Sequence, residues 1–275
     1  MDYRVAKVFN SNAVLAQDSA ENQVVLMSKG IGFGRHTGEI IKNYGENQKI
    51  FYILNDNVNA VKIKQLDGDE KKVEQVTREI VEVARARLKI DNDNLYGALV
   101  DHITFAIECL HMGLPIDNPF CGEIAILYSQ EYETAQIAAE IIKERIGVEI
   151  GDAETCFIAL HLYSARKKKH IRTTIKNTRV YSEILTMVGN SMGKKLDNAH
   201  APAKSFLLSI HCLVTLTANH NSITMNFKQQ VRLNMSESYI TALKVAKLVK
   251  EEMNIQLSDD SIAFIAVDIE KLKQL

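Results

Sequence analysis

The spacing of apolar residues changes along this 275-residue chain. In residues 1–60 apolar and polar positions alternate, which is the pattern of half-buried β-strands. In the first run the alternation places Tyr3, Val5, Lys7 and Phe9 on one side of an extended chain. The sequence therefore predicts a small antiparallel sheet, with strands at residues 3–9, 13–17, 23–28 and 49–54.

From about residue 66 the apolar residues recur every three or four positions, which is typical of amphipathic helices. One helix is predicted over residues 95–110. A second, over 134–147, ends at Gly147, a residue type favoured at helix C-termini. A third, over 236–253, begins at Ser236, a residue type favoured as an N-cap. The rest of the chain is therefore predicted to be predominantly helical.

The helical region repeats itself at an interval of 107 residues. Phe-Ile-Ala-Leu-His-Leu at 157–162 is matched by Phe-Ile-Ala-Val-Asp-Ile at 264–269, so Asp268 replaces His161. The interval holds without a gap from Phe120 onwards. It is too long for a solenoid repeat and predicts a duplicated domain of ordinary size.

Upstream of this gapless stretch, a second histidine pair can be aligned. His102 matches His211 at an interval of 109, and a loop that differs by two residues would absorb the difference. This alignment predicts that both repeats keep a histidine at the same place.

The composition is that of a soluble globular protein, with 46% hydrophobic and 24% charged residues and a formal net charge of −1. This charge indicates no polyanionic partner for the chain as a whole. No run approaches the roughly 18 apolar residues of a membrane span, and the N-terminus carries charges where a signal peptide needs an apolar core. We expect a cytoplasmic protein without membrane insertion. The four cysteines are widely spaced, which predicts reduced thiols and neither a zinc site nor a disulfide framework.

The glycines of residues 28–39 do not form a nucleotide-binding motif. A dinucleotide fingerprint needs glycine where Arg35 or Thr37 stands, and the Gly-Lys-Ser/Thr of a P-loop is absent from the sequence. Phe33, flanked by glycines, suits either of two roles: stacking on a base, or filling the core of the small sheet. No nucleotide or other cofactor is predicted.

Three histidines, His102, His161 and His211, lie on apolar helix faces. A single histidine of this kind is usually structural. No His-x-x-x-His or His-Glu-x-x-His spacing indicates a metal site, and no Gly-x-Ser-x-Gly indicates a hydrolase, so we do not predict an enzyme. An imidazole used singly is either a titrating switch or a nucleophile that accepts a phosphoryl group.

Several motifs together are specific. They are Ala-Lys-Val-Phe-Asn-Ser-Asn at 6–12, Gly-Ile-Gly-Phe at 30–33, Asp-His-Ile-Thr-Phe-Ala-Ile at 101–107 and the Phe-Ile-Ala-Leu-His-Leu already described. Over essentially the whole chain they resemble the BglG/LicT/GlcT family of bacterial transcriptional antiterminators. The resemblance implies a multidomain fold: a small antiparallel β-sheet N-terminal domain followed by two duplicated all-α helical-bundle domains. The implied ranges are 1–60 for an RNA-binding domain, and 66–171 and 172–275 for two regulatory PRD domains.

The resemblance also implies a function and partners. Members hold an RNA hairpin that overlaps a terminator, and transcription then continues. The phosphocarrier HPr and a sugar-specific phosphotransferase permease phosphorylate their PRD histidines, and the RNA-binding domain works in a homodimer. Residues 118–120 and 30–33 favour the glucose-uptake branch. No cofactor or metal is implied.

Carried over by position, the implied RNA contacts include asparagines for base edges, lysines for phosphate and a phenylalanine for stacking. They are Lys7, Asn10, Asn12, Ser28, Lys29, Gly30, Phe33 and Gly34. Ser28 stands where relatives have glycine, and Gly34 where they often have Asn or Gln, so the preferred RNA sequence is expected to differ. Residues 1–60 hold six Lys/Arg and six Asp/Glu, which predicts a shallow salt dependence.

The implied phosphorylation sites are His102, His161 and His211, and Asp268 stands at the place of a fourth family histidine. Two interpretations of Asp268 remain open. Its fixed charge imitates a phosphorylated histidine, or it merely pairs on its helix near Lys271 and Lys273.

Two alternatives to the antiterminator remain open at this stage. One is a helical phosphotransfer relay that does not bind RNA. The other is a structural dimer whose histidines are buried and inert.

Overall fold

The computed structural model describes residues 2–10, 13–18, 23–27, 30–42, 49–52, 70–111, 117–196 and 200–274. The chain divides into two compact units. The first comprises Met1–Asp117 and Gln136–Thr155, and the second comprises Asn118–Ala135 and Cys156–Leu275.

The N-terminal part forms an antiparallel sheet of five strands in the order β4-β1-β2-β3-β5. The predicted sheet is therefore confirmed, but the sequence did not predict β4, a two-residue strand that pairs with the start of β1. The strands are β1 (Tyr3–Asn10), β2 (Ala13–Gln17), β3 (Gln23–Met27), β4 (Ile40–Ile41) and β5 (Lys49–Tyr52).

A bulge in β1 changes the side of the sheet on which its residues lie. Val5 is opposite Ala16, but Lys7 is opposite Leu15, so two steps along β1 match one step along β2. Because directly opposed residues share a face, Val5 lies on the face of Ala16 and Lys7 on the other face. The predicted alternation, which put Val5 and Lys7 on one side, is wrong at this point.

One face of the sheet carries a buried apolar cluster. Its members alternate along the strands as the pairing register requires, and Val8, beyond the bulge, packs against it. The cluster consists of Tyr3, Val5, Val14, Ala16, Val24, Leu26, Ile31 and Ile41.

The described part of the rest of the chain contains ten helices, which confirms the predicted helical character. They are α1 (Glu70–Leu88), α2 (Asn94–His111), α3 (Cys121–Leu127), α4 (Ser129–Ile146), α5 (Gly151–Arg166), α6 (Ile171–Ser191), α7 (Ala201–Ala218), α8 (Lys228–Asn234), α9 (Ser236–Met253) and α10 (Asp259–Lys273).

The helix bounds reproduce the repeat. Helices α2 and α7 begin and end 107 residues apart (201 − 94), and so do α3 with α8 and α4 with α9. Helices α5 and α10 end at the same interval. The duplicated helical architecture is therefore present in the structure as well as in the sequence.

Of the two residues predicted to cap helices, Gly147 has the expected role and Ser236 does not. Helix α4 ends before Gly147, whose φ of +80° is the left-handed conformation that favours glycine. Helix α9 starts at Ser236, but Met235 is its N-cap, so the predicted capping role of Ser236 is wrong.

Helix α7 is long and apolar enough to cross a bilayer by length and composition alone. Core helices of soluble proteins meet the same criterion. In the second unit its apolar residues pack inside the helical bundle; they are Ala203, Phe206, Leu207, Ile210, Leu213 and Val214.

Two of the cysteines are paired. Cys121, at the start of α3, and Cys156, in α5, form a disulfide with their Cα atoms 5.6 Å apart. The prediction of four reduced thiols is therefore wrong for these two, because a separation of 35 residues in the sequence conceals their proximity in the fold. Cys109 and Cys212 are free thiols, buried and exposed respectively.

Candidate functional site

A tight turn presents Phe33 on the surface of the sheet domain. Gly30 and Gly34 both have positive φ angles, 76° and 66°, so the backbone reverses on each side of Phe33. Ile31 points into the sheet core, whereas the Phe33 side chain is 81% exposed. Phe33 therefore does not fill the core, and the structural interpretation of this residue is wrong.

Hydrogen bonds among residues 30–35 stabilise the turn. The backbone N–H of Phe33 donates to the carbonyl of Gly30 at 3.1 Å, and Arg35 Nε donates to the carbonyl of Ile31 at 3.0 Å. A rigid, exposed ring of this kind offers a stacking surface at low cost in conformational entropy.

The other implied RNA contacts are described only in part. Lys7 lies on the sheet face opposite the apolar cluster, and Asn10 ends β1, with only its backbone described. Asn12, Ser28 and Lys29 lie outside the described residues.

His102, on α2, contacts a buried carboxylate. Its Nε2 lies 2.8 Å from Oε2 of Glu154, whose side chain is only 4% exposed. When Nε2, the nitrogen beside the Glu154 carboxylate, carries the proton, the lone pair of the imidazole is on Nδ1. That arrangement orients the ring and leaves Nδ1 as the nucleophilic atom.

Cys109, on the same helix, is buried near two carboxylates. Burial, and then the carboxylates of Glu154 and Glu108, raise the pKa of Cys109 to about 12. A thiol with such a pKa stays protonated at neutral pH and is not a nucleophile. Sequence reasoning missed both glutamates because neither lies near His102 in a recognisable motif.

His161 is half-buried on α5 and belongs to the second unit. Its equivalent in the second repeat is Asp268, at the interval of 107.

His211, on α7, lies in an aromatic environment. Its Nδ1 is 3.0 Å from the hydroxyl of Tyr181, and its ring stands edge-on to Tyr181 and Tyr128. Burial, together with the positive charges of Lys167 and Lys169, lowers the pKa of His211 to about 4. His211 is therefore neutral at physiological pH and is held as part of the bundle interior.

The helix bounds contradict the alignment of His211 with His102. Helices α2 and α3 are separated by the same number of residues as α7 and α8, so the expected two-residue difference in loop length does not exist. At the interval of 107 the equivalent of His102 is Ser209. Sequence reasoning missed Ser209 because it introduced a gap to pair one histidine with another.

Ser209 and Asp268 contact each other directly. Ser209 Oγ donates to Asp268 Oδ2 at 2.5 Å, and Lys271 Nζ donates to Oδ1 at 2.9 Å. Both carboxylate oxygens are thus satisfied, and the charge of Asp268 is balanced by Lys271. This favours the interpretation that Asp268 pairs on its helix over the interpretation that it imitates a phosphate.

The Ser209–Asp268 hydrogen bond should be measurable by a double-mutant cycle. We expect Ser209→Ala and Asp268→Asn to be non-additive by about 1–3 kcal/mol, because the bond is partly buried and one partner is charged. Urea unfolding of the two single variants and the double variant measures this coupling. The control pairs Ser209→Ala with Asp259→Asn, an exposed residue of the same helix, and should be additive. Additivity in both cycles would contradict the bond.

The lowered pKa of His211 predicts a pH dependence of stability. Because the folded state holds His211 neutral while the unfolded chain titrates near pH 6.5, the unfolded state binds more protons between these values. Stability should fall as the pH decreases from about 6.5 to about 4, by an amount on the order of 3 kcal/mol. Urea unfolding across this range should show the loss in wild type and in the control His220→Gln, an exposed histidine, but not in His211→Gln. Equal pH profiles for all three proteins would refute the assignment.

Two family models match the chain. A CAT RNA-binding domain covers residues 3–60. A PRD domain matches twice, at residues 74–165 and 182–272. Together these matches cover well over half of the chain.

Relatives match over nearly their full length. Protein GlcT of Staphylococcus haemolyticus is 26% identical, over 98% of this chain and 95% of its own. The β-glucoside operon antiterminator of Dickeya chrysanthemi is 27% identical, over 98% and 96%. The transcription antiterminator LicT of Bacillus subtilis is 26% identical, over 98% of both chains.

A solved structure of the CAT and first PRD domains of GlcT is 32% identical and covers 60% of this chain and 98% of its own. Its TM-score of 0.34 is too low to support a structural argument. The family models give the order of domains, and two of the relatives are named as antiterminators. The chain belongs to the BglG/LicT/GlcT family of RNA-binding transcriptional antiterminators, non-enzymatic regulators that combine a CAT RNA-binding domain with two PRD domains.

Proposed function

We propose that this protein binds, as a homodimer, an RNA hairpin that overlaps a terminator, and so allows transcription of a sugar-uptake operon to continue. The observation that carries the RNA part is the exposed Phe33 on a hydrogen-bonded glycine turn, within a segment that matches an RNA-binding domain. The proposed domain ranges are 1–60, 66–171 and 172–275.

Recognition of single-stranded or looped RNA fits the chemistry of this surface. Bases that leave the helical stack present a flat face, which an aromatic ring covers at little cost. Lys7 and Lys29 supply charge for phosphates, and Asn10 and Asn12 supply donors and acceptors for base edges. Residues 1–60 carry equal numbers of positive and negative side chains, which fits RNA binding by base stacking better than binding by electrostatic attraction alone.

Control is proposed to act through His102 and His161 of the first repeat. A phosphorylated residue of HPr or of a sugar permease would transfer its phosphoryl group: the bond between the donor residue and phosphorus breaks, and an N–P bond forms at an imidazole nitrogen. At His102 the added charge would lie beside the buried Glu154 carboxylate. Two negative charges in a buried site repel each other, so the surrounding helices must rearrange.

The second repeat is proposed to take no phosphate at the equivalent positions. Ser209 and Asp268 occupy them, and neither side chain forms a phosphohistidine. We do not propose His211 as an acceptor, although the interval of 109 predicted it as one. It occupies a different helix position, and its ring is hydrogen-bonded to Tyr181.

The sugar is proposed to be glucose, from the motifs at 30–33 and 118–120. The relatives include GlcT proteins and, at almost the same identity, an antiterminator of a β-glucoside operon. Reporter expression with glucose and with a β-glucoside as inducer separates the two branches.

Phe33→Ala should weaken hairpin binding by about 1–3 kcal/mol, because it removes the stacking surface. The hairpin for this gel shift is the one encoded immediately upstream of the gene. The circular dichroism spectrum should not change, since the ring is outside the core. Ile40→Ala, another exposed apolar residue of the same domain, is the control and should bind like wild type. Loss of folding in Phe33→Ala, or unchanged affinity, would contradict the stacking role.

Substitution of both His102 and His161 by alanine should leave antitermination active without the inducing sugar, because the inhibitory phosphate has no acceptor. A reporter gene behind the terminator measures this activity with and without sugar. His220→Ala, an exposed histidine of the second unit, should keep the sugar dependence. Sugar-dependent expression in the double variant would show that the acceptor lies elsewhere.

A further inference from the structure

Two residues of strand β1 contact helix α2. Lys7 Nζ lies 2.9 Å from Oε1 of Glu108. The rings of Phe9 and Phe105 meet edge to face, with centroids 6.3 Å apart. Both contacts lie within the first compact unit. We propose that α2 is an intramolecular competitor for RNA. Its Glu108 carboxylate binds the Lys7 ammonium group that would otherwise contact an RNA phosphate.

This inference rests on the proposed RNA-binding role of Lys7. The β1 bulge makes the contact possible, because it moves Lys7 from the core side of the sheet to the opposite side. A second register shift, between Val8 and Asn10, falls at Phe9, and the contact of its ring with Phe105 shows that the Phe9 side chain also lies towards α2. On α2, Phe105 and Glu108 are three residues apart and are therefore neighbours on one helix face.

The Lys7–Glu108 pair differs from a surface salt bridge. The Glu108 side chain is 5% exposed and that of Lys7 is 26% exposed, so the carboxylate is almost fully removed from water. An exposed pair contributes little to stability, whereas a buried charge that loses its partner is strongly destabilising. The ammonium group of Lys7 is therefore a cation that stabilises the buried Glu108 carboxylate in this arrangement.

The same ammonium group cannot serve Glu108 and an RNA phosphate together. If Lys7 turns to RNA, the buried Glu108 carboxylate loses this cation, which weakens the docking of α2 on the strand. RNA binding and α2 docking are thus coupled, and the coupling is reciprocal: whatever loosens α2 strengthens RNA binding, and RNA loosens α2.

Helix α2 also carries His102, one turn before Phe105. The Cys109 thiol is influenced by both Glu154, the partner of His102, and Glu108, the partner of Lys7. A charge added at His102 therefore acts on the helix that covers Lys7. Phosphorylation of the first repeat would thus affect the RNA-binding face through a single helix, α2.

The test compares full-length variants for binding to the hairpin encoded upstream of the gene. Glu108→Gln removes the competing charge with almost no change of shape, and Phe105→Ala removes the aromatic contact with no change of charge. We expect each to bind the hairpin about tenfold more tightly than wild type, within the usual range of coupling between sites. Glu79→Gln is the control: it makes the same change of charge on α1, where Glu79 pairs with Arg145. It should bind like wild type.

Hydrogen exchange of the wild-type protein provides a second measurement. On addition of the hairpin, residues 3–10 should gain protection and residues 102–111 should lose it. If the wild type binds RNA but the two variants bind equally well and α2 exchange does not change, the competition is refuted and the proposed function stands. If no form of the protein binds the hairpin, the proposed function is refuted and the competition with it.

Discussion

The β1 bulge is the constraint on which the sheet domain depends. One extra residue between Val5 and Lys7 reverses the alternation of the strand, so Val5 belongs to the apolar cluster while Lys7 lies on the opposite face. A regular strand would have carried Lys7 into the cluster, where an unpaired ammonium group is not tolerated. The position of the bulge thus allows one short strand both to close a core and to offer a cation.

Three buried glutamates each lie beside a basic side chain. Glu108 pairs with Lys7, Glu154 with His102, and Glu131 with Arg166 at 2.8 Å. Burial raises the pKa of Glu131, and Arg166 opposes that rise. Buried pairs of this kind add little stability over apolar residues of the same shape, but they make the structure sensitive to the loss of either partner. A regulator that responds to a change of charge on one residue gains from such pairs, because a local change cannot be absorbed by solvent.

The two repeats show how one helical frame carries different chemistry. Helices of the second repeat keep the bounds of the first at 107 residues, while the polar residues at equivalent places have changed. Ser209 and Asp268 hold each other by a hydrogen bond where the first repeat has His102 and His161. Packing residues fix the helix register, so side chains at a given place can be exchanged without moving the backbone. At these places the second repeat has a hydrogen-bonded serine and aspartate where the first repeat has two imidazoles.

The change from alternating to helical periodicity, the duplication and the family could all be predicted from the sequence, since these depend on local spacing and on motifs. The sequence also located Phe33, because glycines on both sides mark a special turn. The exposure of Phe33 is visible only in the folded turn, and the side on which Lys7 lies depends on a bulge that leaves no mark in the sequence pattern. The tertiary structure likewise decided that Ser209 rather than His211 matches His102, that Cys121 meets Cys156, and that Glu154 and Glu108 lie where they do. These relations join residues far apart in the chain, and local pattern carries no information about which distant side chains the fold brings together.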